Sequence, residues 1–126
     1  MINKNKYRCW DKEKKKMIYD IQNEYDNGMG CGHSFGAILK YKENFEVMQF
    51  IGFQIDNKDV YENDIIEYKG KLYVVEYNPY DFGFFLYNKK DDEGLELWYS
   101  EKYKHCGNIY ENTYYLDELG LEVEEE

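Results

Sequence analysis

One proline, three cysteines and two histidines are scattered through 126 residues, and no apolar run approaches the length of a membrane span. Each scarcity excludes something. A transmembrane helix needs about 20 consecutive apolar residues, and the first residues also lack the apolar core of a secretory signal. Three cysteines cannot all pair, so reduced thiols and a cytoplasmic setting are expected rather than a disulfide framework. Bases are in deficit as well, 16 Lys and Arg against 26 Asp and Glu, for a net charge of −10. Binding to nucleic acid draws on a basic footprint that displaces counterions, so direct contact with DNA or RNA is not expected. The same charge argues against anionic membrane surfaces.

The motifs of common chemistries are missing too. Gly28, Gly30, Gly32 and Gly36 punctuate residues 23–36, but no Lys-Ser or Lys-Thr follows them as in a P-loop. No hydrophobic strand precedes Gly28-x-Gly30 as in a Rossmann turn. A long flexible loop is expected, of a kind that carries function more often than cores do. Cys31-x-His33 and His105-Cys106 supply two sulfurs and two imidazoles, yet neither pair has the spacing of a structural zinc site. Buried thiols and surface histidines are the expectation, with no metal and no cofactor. Asp56, Asp59, Glu62 and Asp64 offer oxygens to a hard cation, but Lys58 interrupts the EF-hand order, so turn and capping roles are assigned to them. Ser34 and Ser100 lie in no nucleophile motif, and nothing singles out a glycosidase-like carboxylate pair. No enzymatic activity is expected.

What the chain does have is aromatic residues, 19% of the total and 15 of them Tyr. That content sets it apart from disordered sequences and, with glycine-containing turns, suits a mainly β chain. At this length a single domain over 1–126 is expected. Lys6 to Trp10 alternates and pairs across a charged turn with Met17-Ile18-Tyr19, an N-terminal hairpin over about 6–20. Val47 to Phe53 reads as a strand, and Asp56 to Asp59 as a polar turn. Asp64 is expected to fix the next corner by accepting backbone N–H bonds. Asp64 to Tyr68 and Lys71 to Tyr77, joined by Lys69-Gly70, read as a tight hairpin. Leu72, Val74 and Ile66 are placed on one face, with Tyr73, Val75 and Tyr77 on the other. Both faces are too apolar to be wet, so another part of the chain or another subunit must cover the second. Phe82 to Tyr87 is a strand in which Gly83 permits a bulge or a bend. Leu95 to Tyr99 and His105 to Tyr110 are further strands, and Ala37 to Tyr41 is either a strand or a helical turn. Thr113 is expected to cap a short helix that Gly120 ends. Bases crowd the first sixteen residues, and an acidic tail occupies about 117–126.

Three blocks of sequence carry a resemblance. Tyr7 to Glu13 with Lys15 to Ile18 comes first. Met48 to Gly52 with Val60 to Tyr68 follows, then Gly107 to Asn112. In that order they resemble the YopX family of phage and prophage proteins over residues 7 to 112. Asp59 and Asn63 stand where Gly is usual in that family, and Thr113 where Pro is common. The resemblance implies a small SH3-type barrel or roll over about 46–112, and a life in the cytoplasm of a host bacterium. It implies no catalytic residue.

The aromatic surplus is the remaining clue to function. Tyr73, Tyr77, Tyr80, Phe82, Phe84, Trp98 and Tyr99 exceed what one face of a small sheet buries, and aromatics are enriched at interface cores. They are taken as a candidate interface, for a homo-oligomer or for a host or phage protein. A non-enzymatic accessory module is expected, with an acidic inhibitor of a host nucleic-acid-binding protein as the alternative.

Overall fold

The computed structural model describes residues 6–23, 40, 43–80, 83–97 and 102–122. The chain is mainly β, with two antiparallel sheets and a short helix near its C-terminal end. It divides into two compact units, residues 1–50 and 51–126.

In the first unit, β1 (Tyr7–Asp11) pairs with β2 (Lys16–Tyr19) through Cys9↔Ile18 and with the start of β3 (Phe45–Ile55) through Cys9↔Val47. The expected N-terminal hairpin is therefore present. The alternation of Tyr7 and Cys9 turns both toward one small core, where Cys9, Ile18, Ile21 and Phe45 are buried and Tyr7 and Val47 pack against them.

In the second unit, β3 reverses through Asp56-Asn57 into β4 (Lys58–Tyr61). Both turn residues are left-handed, at φ +56° and +63°. Asp and Asn tolerate that conformation, and its twist matches that of the flanking strands. β5 (Asp64–Tyr68), β6 (Lys71–Asn78), β7 (Gly83–Asn88), β8 (Glu93–Glu96) and β9 (Tyr103–Asn108) form a five-stranded sheet that curls into a half-barrel, in the order β8-β7-β6-β5-β9. Lys69 and Gly70, at φ +52° and +78°, make the two-residue turn between β5 and β6. β6 and β7 stay in register from Val74↔Tyr87 to Asn78↔Gly83, so Gly83 introduces no bulge.

The central strand β6 is buried on both faces by the chain itself. Tyr73 and Val75 join Ile55, Val60, Ile66, Leu86 and Tyr103 on the inner side, and Leu95 and Leu97 pack on that cluster. Leu72 and Val74 meet Ile65 and Leu119 on the outer side. Ile66 lies with Tyr73, not with Leu72 and Val74 as expected. A two-residue turn sets Ile66 directly opposite Tyr73, and directly opposed residues share a face.

The outer cover is α1 (Leu116–Leu119), entered through a 3-10 turn at Thr113–Tyr115. Gly120 ends it in the left-handed conformation, as expected, but Thr113 caps neither segment: Asn112 holds the N-cap position of the 3-10 turn and Tyr115 that of α1. Thr113 is the first residue of the turn, where a proline's fixed φ also fits. Asn88, 2% exposed, ties the helix down: its amide donates to Leu72 O at 2.8 Å and to Glu118 O at 3.1 Å. Lys90 N–H donates to Leu119 O at 3.3 Å. A Cβ on Gly120 would stand 2.4 Å from the Lys90 nitrogen, so glycine is required there.

The expected loop at 23–36 falls outside the described residues, apart from Asn23 at its start. Ala37 to Tyr41, apart from Lys40, and the tail beyond 122 also fall outside them.

Candidate functional site: the Asp64–His105 corner

The turn between β4 and β5 is a heavily bonded corner of the second unit. Asn63 takes φ +69°, a left-handed conformation that Asn tolerates better than most residues. Its N–H donates to Val75 O at 2.8 Å, and its own carbonyl accepts Ile109 N–H at 3.1 Å. Its amide donates to the Tyr110 hydroxyl at 3.2 Å. Asp64, fully buried, accepts Tyr61 N–H at 2.8 Å, the capping role expected of it.

A second turn locks onto the first. Asn108 Oδ1 accepts the N–H groups of Tyr110 and Glu111, at 3.0 and 2.9 Å, and its amide donates to Glu111 Oε1 at 2.8 Å. Asn112 Oδ1 accepts Asn108 N–H at 3.0 Å, and Asn112 N–H returns to Asn108 O at 3.0 Å. Gly107, at φ +127°, makes room for this: a Cβ there would lie 2.1 Å from Asn112 Oδ1. Two of the sequence blocks, around 60–68 and 107–112, are thus brought together as one interlocked clasp.

His105 sits beside the clasp. β5 and β9 shift register between Ile65 and Ile66, so that Cys106 is the extra residue of a bulge and His105 is re-aimed. Its Nε2 lies 2.8 Å from Asp64 Oδ2, and its side chain is only 10% exposed. Its backbone N–H donates to Asp56 Oδ2 at 2.8 Å. A neutral imidazole has one N–H donor and one acceptor nitrogen, so donation from Nε2 to the carboxylate leaves Nδ1 as the acceptor. That Nδ1 is buried with no hydrogen-bond partner. An aspartate orienting an imidazole is a pairing that acid–base catalysts use. Here the free nitrogen is sealed away from any reacting group. Cys106 does not complete the arrangement, since it packs against the outer cluster around Leu119. Burial first, and then the Glu67 carboxylate, push its thiol up and away from the reactive thiolate.

The carboxylates weighed as cation ligands are largely used by turns. Asp56 and Asp64 bond as described, and Asp59 accepts the Gln54 amide at 2.9 Å. No cluster of three or more His, Cys, Asp or Glu able to hold a metal ion occurs among the described residues. Cys31 and His33 lie outside them.

A second polar cluster ties β6 to the turn between β7 and β8. Lys71 Nζ stands 2.7 Å from Asp91 and 3.3 Å from Glu93, and the Tyr73 hydroxyl donates to the other oxygen of Glu93. Burial, and then the Glu93 hydrogen bond, push the Tyr73 hydroxyl up to about 12. The bond with Lys71 holds Asp91 below its usual range, and the bonds from Tyr73 and then Lys71 do the same for Glu93. Tyr87 is raised, chiefly by donating to Asp92 at 2.6 Å.

The candidate interface residues divide. Tyr73 is 3% exposed and belongs to the inner core, its hydroxyl being held by Glu93. Phe84 is half-buried on that core. Tyr77, 43% exposed, meets the Phe84 ring edge-on at 5.3 Å, and Tyr80 is 90% exposed. These three share the end of the β6–β7 hairpin, where Asn78 Oδ1 accepts Tyr80 N–H at 3.0 Å. Phe82, Trp98 and Tyr99 lie outside the described residues. Sequence reasoning placed Asn88 at the start of a charged turn over 88–94 but missed its tie to the helix, and it passed over the Asp64–His105 pair. An Asn at a strand end before Lys-Lys-Asp-Asp is a readable turn signal. The pair, 41 residues apart, has no local signature.

A family model described as "YopX protein" matches residues 6–117 of the chain. Two solved structures are similar. Protein EF1440 from Enterococcus faecalis aligns at 21% identity and a TM-score of 0.60, covering 86% of this chain and 94% of that one. Protein yopX from Bacillus subtilis aligns at 20% identity and a TM-score of 0.51, covering 88% and 97%. No curated protein sequence matches.

Proposed function

We propose, from the premise that the chain belongs to the YopX protein family, that it is a phage- or prophage-encoded accessory protein without enzymatic activity, working as a protein-binding or self-associating module. The half-barrel is read as an SH3-type barrel whose exposed aromatic end does the binding. The observation that carries this reading is Tyr80, 90% exposed beside a Tyr77 that rests on Phe84. Tyrosine is enriched at interface cores because it offers large contact area with few rotatable bonds. The polar groups around Asp64 and His105 are largely taken up by structural hydrogen bonds. The setting proposed is the host cytoplasm, where thiols stay reduced. No helix among the described residues is long and apolar enough to cross a membrane.

Light scattering at about 50 μM, where weak interfaces become populated, tests the self-associating form. Association that Tyr77→Ser/Tyr80→Ser weakens supports it, and a strict monomer removes it. A second reading, an acidic inhibitor of a host nucleic-acid-binding protein, is favoured by the charge of residues 51–126, 19 acidic against 7 basic. Relief of a host protein's DNA binding by added protein, lost at high salt, supports that reading. Unchanged DNA binding counts against it.

A further inference from the structure

The turn between β1 and β2 is built to present charge. Lys12, Lys14 and Lys15 occupy it and Lys16 opens β2, with Glu13 the one acid among them. Asp11, 3% exposed, holds the turn: its carboxylate accepts Glu13 N–H and Lys14 N–H, each at 3.0 Å, and its carbonyl accepts Lys15 N–H at 2.8 Å. Lys12 reaches Glu46 at 3.0 Å, while Lys14, Lys15 and Lys16 are exposed. A turn pinned by three hydrogen bonds loses little backbone freedom when something docks on it. We infer that this lysine turn docks on the acidic second unit of another copy of the chain.

Charge complementarity selects that partner. Residues 51–126 hold 19 acidic side chains against 7 basic ones, whereas residues 1–50 hold 9 basic against 7 acidic. No base occurs from Leu116 to Glu126, and Asp117, Glu118 and Glu122 are exposed. The contact is heterologous, turn to acidic unit, and does not use the aromatic hairpin end. Its salt dependence is distinctive. Two copies of net charge −10 repel over long distances, so very low salt opposes their approach. At about 0.1 M the screening length is about 10 Å, which mutes the long-range repulsion and spares the direct contact. At about 1 M it is about 3 Å, and the contact is lost.

Sedimentation velocity over a concentration series at both ionic strengths tests the inference, with the wild type and with Lys14→Glu/Lys16→Glu. The expected result is association at the lower salt that weakens at least about tenfold at the higher and is absent in the variant, whose circular dichroism is unchanged. Tyr77→Ser/Tyr80→Ser leaves this component in place. Three results overturn the inference: a monomer at every salt concentration, a variant that associates like the wild type, or association that strengthens at 1 M, as apolar contact would. Gel shift of duplex DNA or RNA by the wild type but not by the variant also overturns it, by assigning the turn to nucleic acid.

Discussion

The corner at Asp64 and the aromatic end of the β6–β7 hairpin belong to the same half-barrel and are opposites in chemistry. The corner is polar, buried and bonded, with Asp64, Asn63, Asn108 and Asn112 all engaged in holding one turn to another. The hairpin end is aromatic and exposed, with Tyr80 in solvent. Two of the stretches that carry the family resemblance, around 60–68 and 107–112, fall on the corner. A recurring motif of polar residues can therefore mark architecture, while a surface available to partners lies where the sequence has no motif at all.

Substitutions test that contrast. The largest loss is expected for Asp64→Ala, which strands the Tyr61 N–H and the His105 ring in a buried place. A cost of about 3–5 kcal/mol is expected, read from the midpoint of a urea transition. Gly107→Ala comes next at about 3 kcal/mol, because φ +127° and the Asn112 side chain both oppose a Cβ. A corner that tolerated both changes would not be the clasp described here.

Tyr73 supplies a pH test. Its hydroxyl ionises at about 12 in the folded protein, above the usual value near 10. The stabilisation it contributes is complete below about pH 10, where the phenol is protonated in both states, and is lost as the pH rises from about 10 through about 12. Ultraviolet titration should resolve a late-ionising component, to which Tyr87 also contributes, that shrinks by one tyrosine in Tyr73→Phe. Uniform titration of all tyrosines near 10 would mean that its ring is not held by Glu93. The smallest effect is reserved for Tyr80→Ser, which should alter stability by no more than about 0.5 kcal/mol while removing any association that depends on the hairpin end.

Much of the fold was legible where a local rule sufficed. Lys69-Gly70 announced a two-residue turn, Asp64 a cap and Gly120 a helix end, each by its own conformational preference, whereas the polar turn expected over Asp56 to Asp59 is confined to Asp56-Asn57, with Lys58 and Asp59 already in β4. The same turn length also contained the correction to Ile66, because counting outward from Lys69-Gly70 pairs Ile66 with Tyr73. What local rules could not supply was pairing at a distance. The bulge at Cys106 depends on how β9 meets β5, and only that pairing brings His105 to Asp64. Tyr73 was misplaced for a related reason: alternation tells which residues share a face, not which face the chain later curls over. Of the candidate interface, Tyr77, Tyr80 and Phe84 do gather in one place, since they flank a hairpin and needed no long-range knowledge.

The one-turn helix α1 carries a further consequence. Four residues cannot hold a helix in water by themselves, so this segment stays in place through its tertiary contacts: buried Leu116 and Leu119, the amide of Asn88 and the N–H of Lys90. When that latch opens, Leu72, Val74 and Ile65 are bared together while the strands behind them remain paired. Such a partly opened molecule would be sticky before it is unfolded, and amide exchange along the last turn should report how often it forms.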